Sequence, residues 1–240
     1  MAPDQMSIDR IPFGAHLGEL RRRLIYCVIA LALAFSVCYG ASGYLVSALF
    51  YPIRRALPPG STMVFTSLTE GFMTYLKISF WAAMVMSAPI FLYEVWAFVA
   101  PGLYDKEKRP IITLMSWAAS LFAAGAAFGY WVIMPSILSI TLGFASQGLQ
   151  AMPRLQDYMV FVLKTMLGFG LAFEIPFLMA AAVRLGVVPA GYFKRHRKAC
   201  YLGLYIFAVI LAPTDIFSQI MILAPLVCLF EIGMRFSPWR

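Results

Sequence analysis

Long runs of apolar residues without a single charge constrain this chain more than any other feature. The runs 24–49 and 111–134 contain no Asp, Glu, Lys or Arg. A helix needs about 20 apolar residues to cross the hydrocarbon core of a bilayer, and both runs are longer. Only 12% of the 240 residues are charged, which is about half the share in a soluble domain. The sequence therefore predicts an all-α polytopic membrane protein and excludes a soluble enzyme, a disordered protein and a nucleic-acid-binding domain.

The same criterion predicts six transmembrane helices in one integral membrane domain over residues 1–240. The predicted spans are apolar with few charges, and they cover residues 24–49, 71–101, 111–134, 158–183, 199–212 and 216–234. The fifth span has only 14 residues, which reach about 21 Å in a hydrocarbon core of roughly 30 Å. Two explanations stay open. Either the bilayer is thinned around the last two spans, or the fifth helix begins earlier, near Tyr192, with its basic side chains reaching the interface.

The basic residues orient these helices. Six spans place both termini on one side of the membrane. Of the 19 Lys and Arg residues, 14 fall in the N-terminal segment and after the second, fourth and sixth spans. Because Lys and Arg collect in cytoplasmic segments, this bias predicts that both termini are cytoplasmic. On the opposite side we expect residues 51–70 to form a shaped cap and residues 135–153 an interfacial helix, with Pro135 ending the third span.

Candidate chemistry rests on acidic residues, because the chain contains no recognisable catalytic motif and no metal-ligand spacing of His or Cys. Glu94 and Glu231 lie near the cytoplasmic ends of their spans and can reach the interface. Asp215 lies in the short turn between the last two spans. Glu174 lies near the middle of its span, two residues before Pro176, which kinks the helix. It either faces a water-filled cavity or a partner's polar side chain, or it is a protonated acid hydrogen-bonded inside the bundle.

Two more acidic residues lie among the basic residues predicted to be cytoplasmic. Glu19 belongs to an amphipathic segment that continues into Arg21, Arg22 and Arg23, and Glu107 lies in the basic segment after the second span. Taken alone, Glu19 is expected to pair with Arg22 or Arg23, which lie one helical turn away. Glu107 taken alone is expected to be one charge in a solvated loop.

Five segments, in order along the chain, change this interpretation. They are HLGELRRRL (16–24), SAPIFLYEVWAFVAPGLYDKEKR (87–109), FGLAFEIP (169–176), LAPTDIFSQ (211–219) and CLFEIGM (228–234). These segments resemble TatC, the core subunit of the twin-arginine protein translocase. The resemblance implies a six-helix protein with a concave, cupped face that recognises signal peptides with two consecutive arginines. It also implies a bacterial inner-membrane protein that exports folded proteins with the proton-motive force and has no catalytic activity.

The resemblance further implies roles for particular residues. The signal-peptide site is expected to comprise Glu19, Arg21, Phe98 and Glu107. Two carboxylates suit two arginines, because a guanidinium binds a carboxylate through two parallel hydrogen bonds and an ammonium does not. The site for the single-span partners TatA and TatB is expected to comprise Glu174, Asp215 and Gln219. Ala212 stands where many relatives carry a hydroxyl residue, which leaves Gln219 as the stronger polar contact.

The expected partners are TatA, TatB, precursors with twin-arginine signals, further copies of the chain and membrane lipid, with no nucleic acid, metal or cofactor. A second hypothesis is a secondary solute transporter or ion pathway with Glu174 as the coupling site. A third, an intramembrane hydrolase, is disfavoured because nucleophile and base motifs are missing.

Overall fold

The described part of the chain is built from helices. The computed structural model describes residues 13–56, 69–99, 110–143, 154–184, 186–189, 191–212 and 216–236, and these ranges contain no β-strand. In chain order the helices are α1 Phe13–Gly40, α2 Ser42–Ala56, α3 Glu70–Val99, α4 Pro110–Phe128, α5 Met134–Gly143, α6 Leu155–Phe173, α7 Ile175–Arg184, α8 Tyr192–Arg195, α9 Arg197–Leu211 and α10 Ile216–Phe236. The all-α fold class is confirmed.

Among the described residues, five helical stretches are long and apolar enough to cross a membrane: residues 18–40, 70–95, 116–141, 155–184 and 216–235. Their outer surfaces are apolar: the side chains of Leu33, Trp117, Trp131 and Ile210 are each more than half exposed. Continuous apolar exposure of this kind is uncommon on a soluble monomer and suits contact with lipid acyl chains. The chain is therefore a multi-pass membrane protein, while the count of six spans and the side of the termini stay predictions.

The first predicted span is two helices. α1 ends at Gly40 and α2 begins at Ser42, so the helix predicted over residues 24–49 is interrupted at Ala41. Gly40 and Gly43 flank the break, and a Cβ added at either would meet nothing within 4 Å. Glycine gives little support to a helix interior, which favours an interruption here. α2 also extends to Ala56, whereas the remainder of the predicted cap, residues 57–68, lies outside the described residues.

The third predicted span continues through Pro135. α4 leads into a π-helical turn, Gly129–Ile133, in which the Met134 N–H bonds the Gly129 carbonyl, and then into α5. A proline is tolerated in the first turn of a helical segment, where its missing N–H costs little. The expectation that Pro135 ends the span and begins an interfacial helix is wrong for residues 135–143, and residues 144–153 lie outside the described ranges.

The fourth and fifth spans contain the two irregularities raised by the sequence. α6 and α7 meet at Glu174, whose N–H bonds the Leu171 carbonyl at 3.1 Å; the helix is thus interrupted two residues before Pro176, where the sequence predicted a kink. α9 begins at Arg197 and has 15 residues, or about 22 Å. The single turn α8 precedes it, but His196 interrupts the two helices. α9 is thus shorter than the bilayer core. Helical structure does begin earlier, at Tyr192, but the added turn α8 is not continuous with α9.

Helix packing places the candidate residues. α1 packs on α3, α3 and α4 pack on α6, and α10 packs on α7 and α9. A Cβ added at Gly125 in α4 would lie 2.3 Å from the Phe169 carbonyl oxygen of α6, so the glycine at this position allows the two helices to approach closely. Pro52 in α2 has no N–H for the Ala48 carbonyl, and the Tyr130 hydroxyl donates to that oxygen at 2.9 Å.

Candidate functional site

A cluster of two carboxylates and one guanidinium joins α1 to α3. Arg23 donates from Nε (3.1 Å) and Nη2 (2.5 Å) to Oε1 of Glu19, one turn earlier in α1. Its Nη1 donates to Oε2 of Glu94 in α3 at 3.1 Å. The Arg23 side chain is 20% exposed, Glu94 12% and Glu19 35%. The expected pairing of Glu19 with Arg23 is present, and Glu94 shares the same arginine.

The other predicted members of the signal-peptide site are placed to different extents. Arg21 is exposed, two residues after Glu19 in α1. Phe98 lies in the last turn of α3, and its side chain is outside what the structure describes. Glu107 lies outside the described residues altogether. The structure therefore brings Glu19 together with Glu94, a residue that the sequence placed at the interface without a role.

Glu174 is a buried carboxyl group at the turn between α6 and α7. It is 1% exposed. The backbone of Phe122 in α4 lies near the carboxyl group, but neither carboxyl oxygen completes a hydrogen bond with the described residues. A buried polar group without a partner costs about 1–3 kcal/mol. Both interpretations raised by the sequence, a contact with a partner's polar side chain and a protonated acid inside the bundle, stay predictions.

Of the remaining members of the predicted partner site, the structure describes one. Gln219 is half-buried in the first turn of that helix. Asp215 lies outside the described residues. Ala212, which directly follows α9, is 1% exposed, so this position is filled by a buried methyl group and provides no hydrogen-bonding side chain.

A second arginine–carboxylate cluster, which the sequence did not single out, joins α9 to α10. Arg197 donates from Nε to Oε1 of Glu231 at 2.9 Å and to the Tyr201 hydroxyl at 2.7 Å. The Tyr201 hydroxyl also bonds Glu231. Arg197 and Glu231 both lie at the predicted cytoplasmic ends of neighbouring spans. Their shared depth in the membrane is the sequence signal that could have revealed this pair. The Arg197 side chain is 47% exposed, so the pair contributes little to stability.

The described residues contain no group of three His, Cys, Asp or Glu side chains that could hold a metal ion. What the two clusters and Glu174 offer is recognition chemistry: carboxylates that bind guanidinium groups, and one carboxyl group that accepts or donates a hydrogen bond.

Three comparisons relate the chain to known proteins. Residues 15–225 match the model of the family described as Sec-independent protein translocase protein (TatC). The chain is 38% identical to the TatC protein of Desulforapulum autotrophicum, over 94% of this chain and 84% of the relative. It is 36% identical to TatC of Escherichia coli K12, over 95% and 89%. Its fold is similar to a crystal structure of a twin arginine translocase receptor, TatC, with a TM-score of 0.86 and 31% identity over 92% and 97% of the two chains.

Proposed function

The chain belongs to the TatC family of Sec-independent protein translocase proteins, and from this premise we propose that it is the receptor for twin-arginine signal peptides in a translocase that exports folded proteins. The observation that carries the proposal is the family match over residues 15–225, joined to a fold similar to that of a twin arginine translocase receptor. Six spans, a concave face and cytoplasmic termini in the bacterial inner membrane belong to the same proposal, as does the proton-motive force as the energy source.

The geometry around Glu19 supports a signal-peptide site on the predicted cytoplasmic side. Arg23 links the first part of α1 to the last part of α3 through Glu94. The connection that carries Glu107 begins at this end of α3. Glu107 precedes Pro110, the first residue of α4, by three residues, which limits the distance between their Cα atoms to about 11 Å. We propose that Glu107 completes this site together with Glu19, with Arg21 in α1 and Phe98 in α3.

Glu174 supports the proposed docking of the single-span partners TatA and TatB. A buried carboxyl group without a hydrogen bond from the described residues is a costly feature that a polar side chain of a partner would satisfy. α9, at 15 residues, is shorter than the roughly 30 Å core, so the bilayer beside it would be thinned. Partner helices at Gln219 and Asp215 would then meet a locally thin membrane. This arrangement has no need of catalytic residues.

Site-specific photocrosslinking tests the receptor proposal. A photoreactive residue beside one of the two carboxylates, at position 20 or 106, leaves Glu19 and Glu107 in place; it is expected to crosslink a precursor with an Arg-Arg signal and to lose most of that product with a Lys-Lys signal. Position 231 serves as the control, since it carries a carboxylate paired with an arginine in the other cluster. Glu107→Lys is expected to abolish precursor binding. Equal crosslinks for both signals, or equal crosslinks from position 231, would contradict the proposal.

A further inference from the structure

Arg23 contacts the carboxylates of Glu19 and Glu94 in the way that an arginine of a bound peptide would. Its Nε and Nη2 atoms donate to Glu19, and Nη1 donates to Glu94. A guanidinium has five N–H groups in a rigid planar fork, and the three nitrogens of Arg23 are all engaged. An ammonium group is a point charge on a flexible stem and cannot reproduce this planar arrangement. The cluster is therefore selective for a guanidinium by its shape.

The charge and hydrogen-bonding capacity of this cluster exceed what Arg23 provides. Two carboxylates face one guanidinium in this cluster. The bonds of Arg23 end on Oε1 of Glu19 and Oε2 of Glu94, so the second oxygen of each carboxylate is not bonded to Arg23. Glu19 is also 35% exposed. A second cation can approach this cluster from water.

We infer that Glu19 and Glu94 together form an arginine-binding site, that Arg23 occupies it in the unbound protein, and that an arginine of the signal peptide binds by replacing Arg23. The inference rests on the proposed receptor function and adds Glu94 and Arg23 to its site. Glu19 and Glu94 set the preference for arginine over lysine. Arg23 lowers the apparent affinity for every ligand, because a ligand can bind only during the fraction of time in which Arg23 leaves the site empty.

This distinction has a measurable consequence. Removing an internal competitor strengthens the binding of all ligands by one common factor, so Arg23→Gln raises the affinity for an Arg-Arg and a Lys-Lys peptide equally. Removing a carboxylate that contacts the ligand weakens the arginine peptide more, because that peptide loses a charge-assisted hydrogen bond. A structural arginine that only ties α1 to α3 predicts the opposite for Arg23→Gln, namely weaker binding of both peptides.

The experiment measures binding of fluorescent Arg-Arg and Lys-Lys signal peptides to the full chain in lipid nanodiscs. Arg23→Gln is expected to bind both peptides about tenfold tighter, the equivalent of one charge-assisted hydrogen bond. The matched control is Arg22→Gln, which removes the same charge one residue away. Arg22 donates to the Tyr26 hydroxyl at 2.8 Å, whereas the hydrogen bonds to Glu19 and Glu94 come from Arg23. This control is expected to change both affinities by less than about twofold.

The role of Glu94 is measured in the absence of the competitor. Adding Glu94→Gln to Arg23→Gln is expected to weaken the Arg-Arg peptide by about tenfold and the Lys-Lys peptide by less. Glu231→Gln in the same background is the control for loss of a carboxylate, and it is expected to leave both affinities unchanged. If Glu94→Gln has no larger effect than Glu231→Gln, Glu94 does not contact the ligand.

The outcomes separate this inference from the receptor proposal. If the unmodified chain binds both peptides equally, the receptor proposal fails. If it prefers Arg-Arg, but Arg23→Gln binds no tighter than Arg22→Gln, the replacement of Arg23 is refuted. Arg23→Lys keeps the charge and serves if the Gln variant does not fold. The lysine side chain competes less well for the two carboxylates, so Arg23→Lys should raise both affinities by a smaller common factor. Unchanged affinities in this variant also refute the inference.

Discussion

Replacing Glu174 with methionine should make the isolated chain more stable and the translocase inactive. Glu174 is 1% exposed, and neither carboxyl oxygen has a partner among the described residues. The folded protein therefore carries the full cost of removing this group from water. Methionine is close in length to glutamate, so the substitution removes polar atoms without leaving a large cavity.

The size of the effect follows from the missing hydrogen bonds. An unsatisfied buried polar group costs about 1–3 kcal/mol, and Glu174→Met should recover this range. Glu174→Gln keeps a polar group in the same place and should change stability by less than about 1 kcal/mol. The contrast is Ser87, which is buried in α3 and donates to the Ala83 carbonyl at 2.7 Å. Ser87→Ala loses a hydrogen bond that is made, so it should be destabilising by about 1 kcal/mol.

The assay is unfolding of the full chain in mixed micelles as the SDS fraction is raised, followed by far-UV circular dichroism. Export of a folded precursor by membranes that contain each variant is measured in parallel. We expect Glu174→Met to unfold at a higher SDS fraction and to lose export. Destabilisation by Glu174→Met would refute the reasoning, since it would mean that the carboxyl group is satisfied in the folded chain. A stabilised variant with normal export would refute a functional role for Glu174.

Two further predictions concern helix packing. Gly125→Ala should be destabilising by about 1–3 kcal/mol, because its Cβ would lie 2.3 Å from a backbone oxygen of α6. The control is Gly203→Ala, where a Cβ meets nothing within 4 Å; it should be neutral or stabilising by up to about 1 kcal/mol. Equal effects of the two substitutions in the SDS assay would contradict the close packing of α4 on α6. Tyr130→Phe should destabilise the chain by about 1 kcal/mol, because the Ala48 carbonyl loses its hydrogen bond from the hydroxyl. The loss should be smaller in a Pro52→Ala background, where residue 52 regains an N–H that can bond this carbonyl. An unchanged loss would show that the hydroxyl bond does not compensate for the proline.

The sequence predicted the apolar helices well, because the requirement for about 20 apolar residues acts on each segment separately. It predicted the kink before Pro176 for the same reason, since a missing N–H is a local property. Pro135 shows the limit of local reasoning. The same missing N–H has no terminating effect there, because a π-helical turn over Gly129–Ile133 precedes it and the chain stays packed on both sides of the turn, with α4 on α6 and α5 on α2. Whether a proline ends or merely modifies a helix depends on packing that no single segment contains.

The site was harder to predict than the fold because its members come from different helices. The i to i+4 spacing of Glu19 and Arg23 is visible in the sequence, and this pair is present. Glu94 lies 71 positions after Arg23 in the sequence, and only the packing of α1 on α3 brings it to that arginine. The sequence offered the intrahelical ion pair and the receptor carboxylate as competing explanations of Glu19. If Arg23 is a replaceable occupant, the two explanations describe one site before and after the signal peptide binds, and the ion pair is what the peptide must displace.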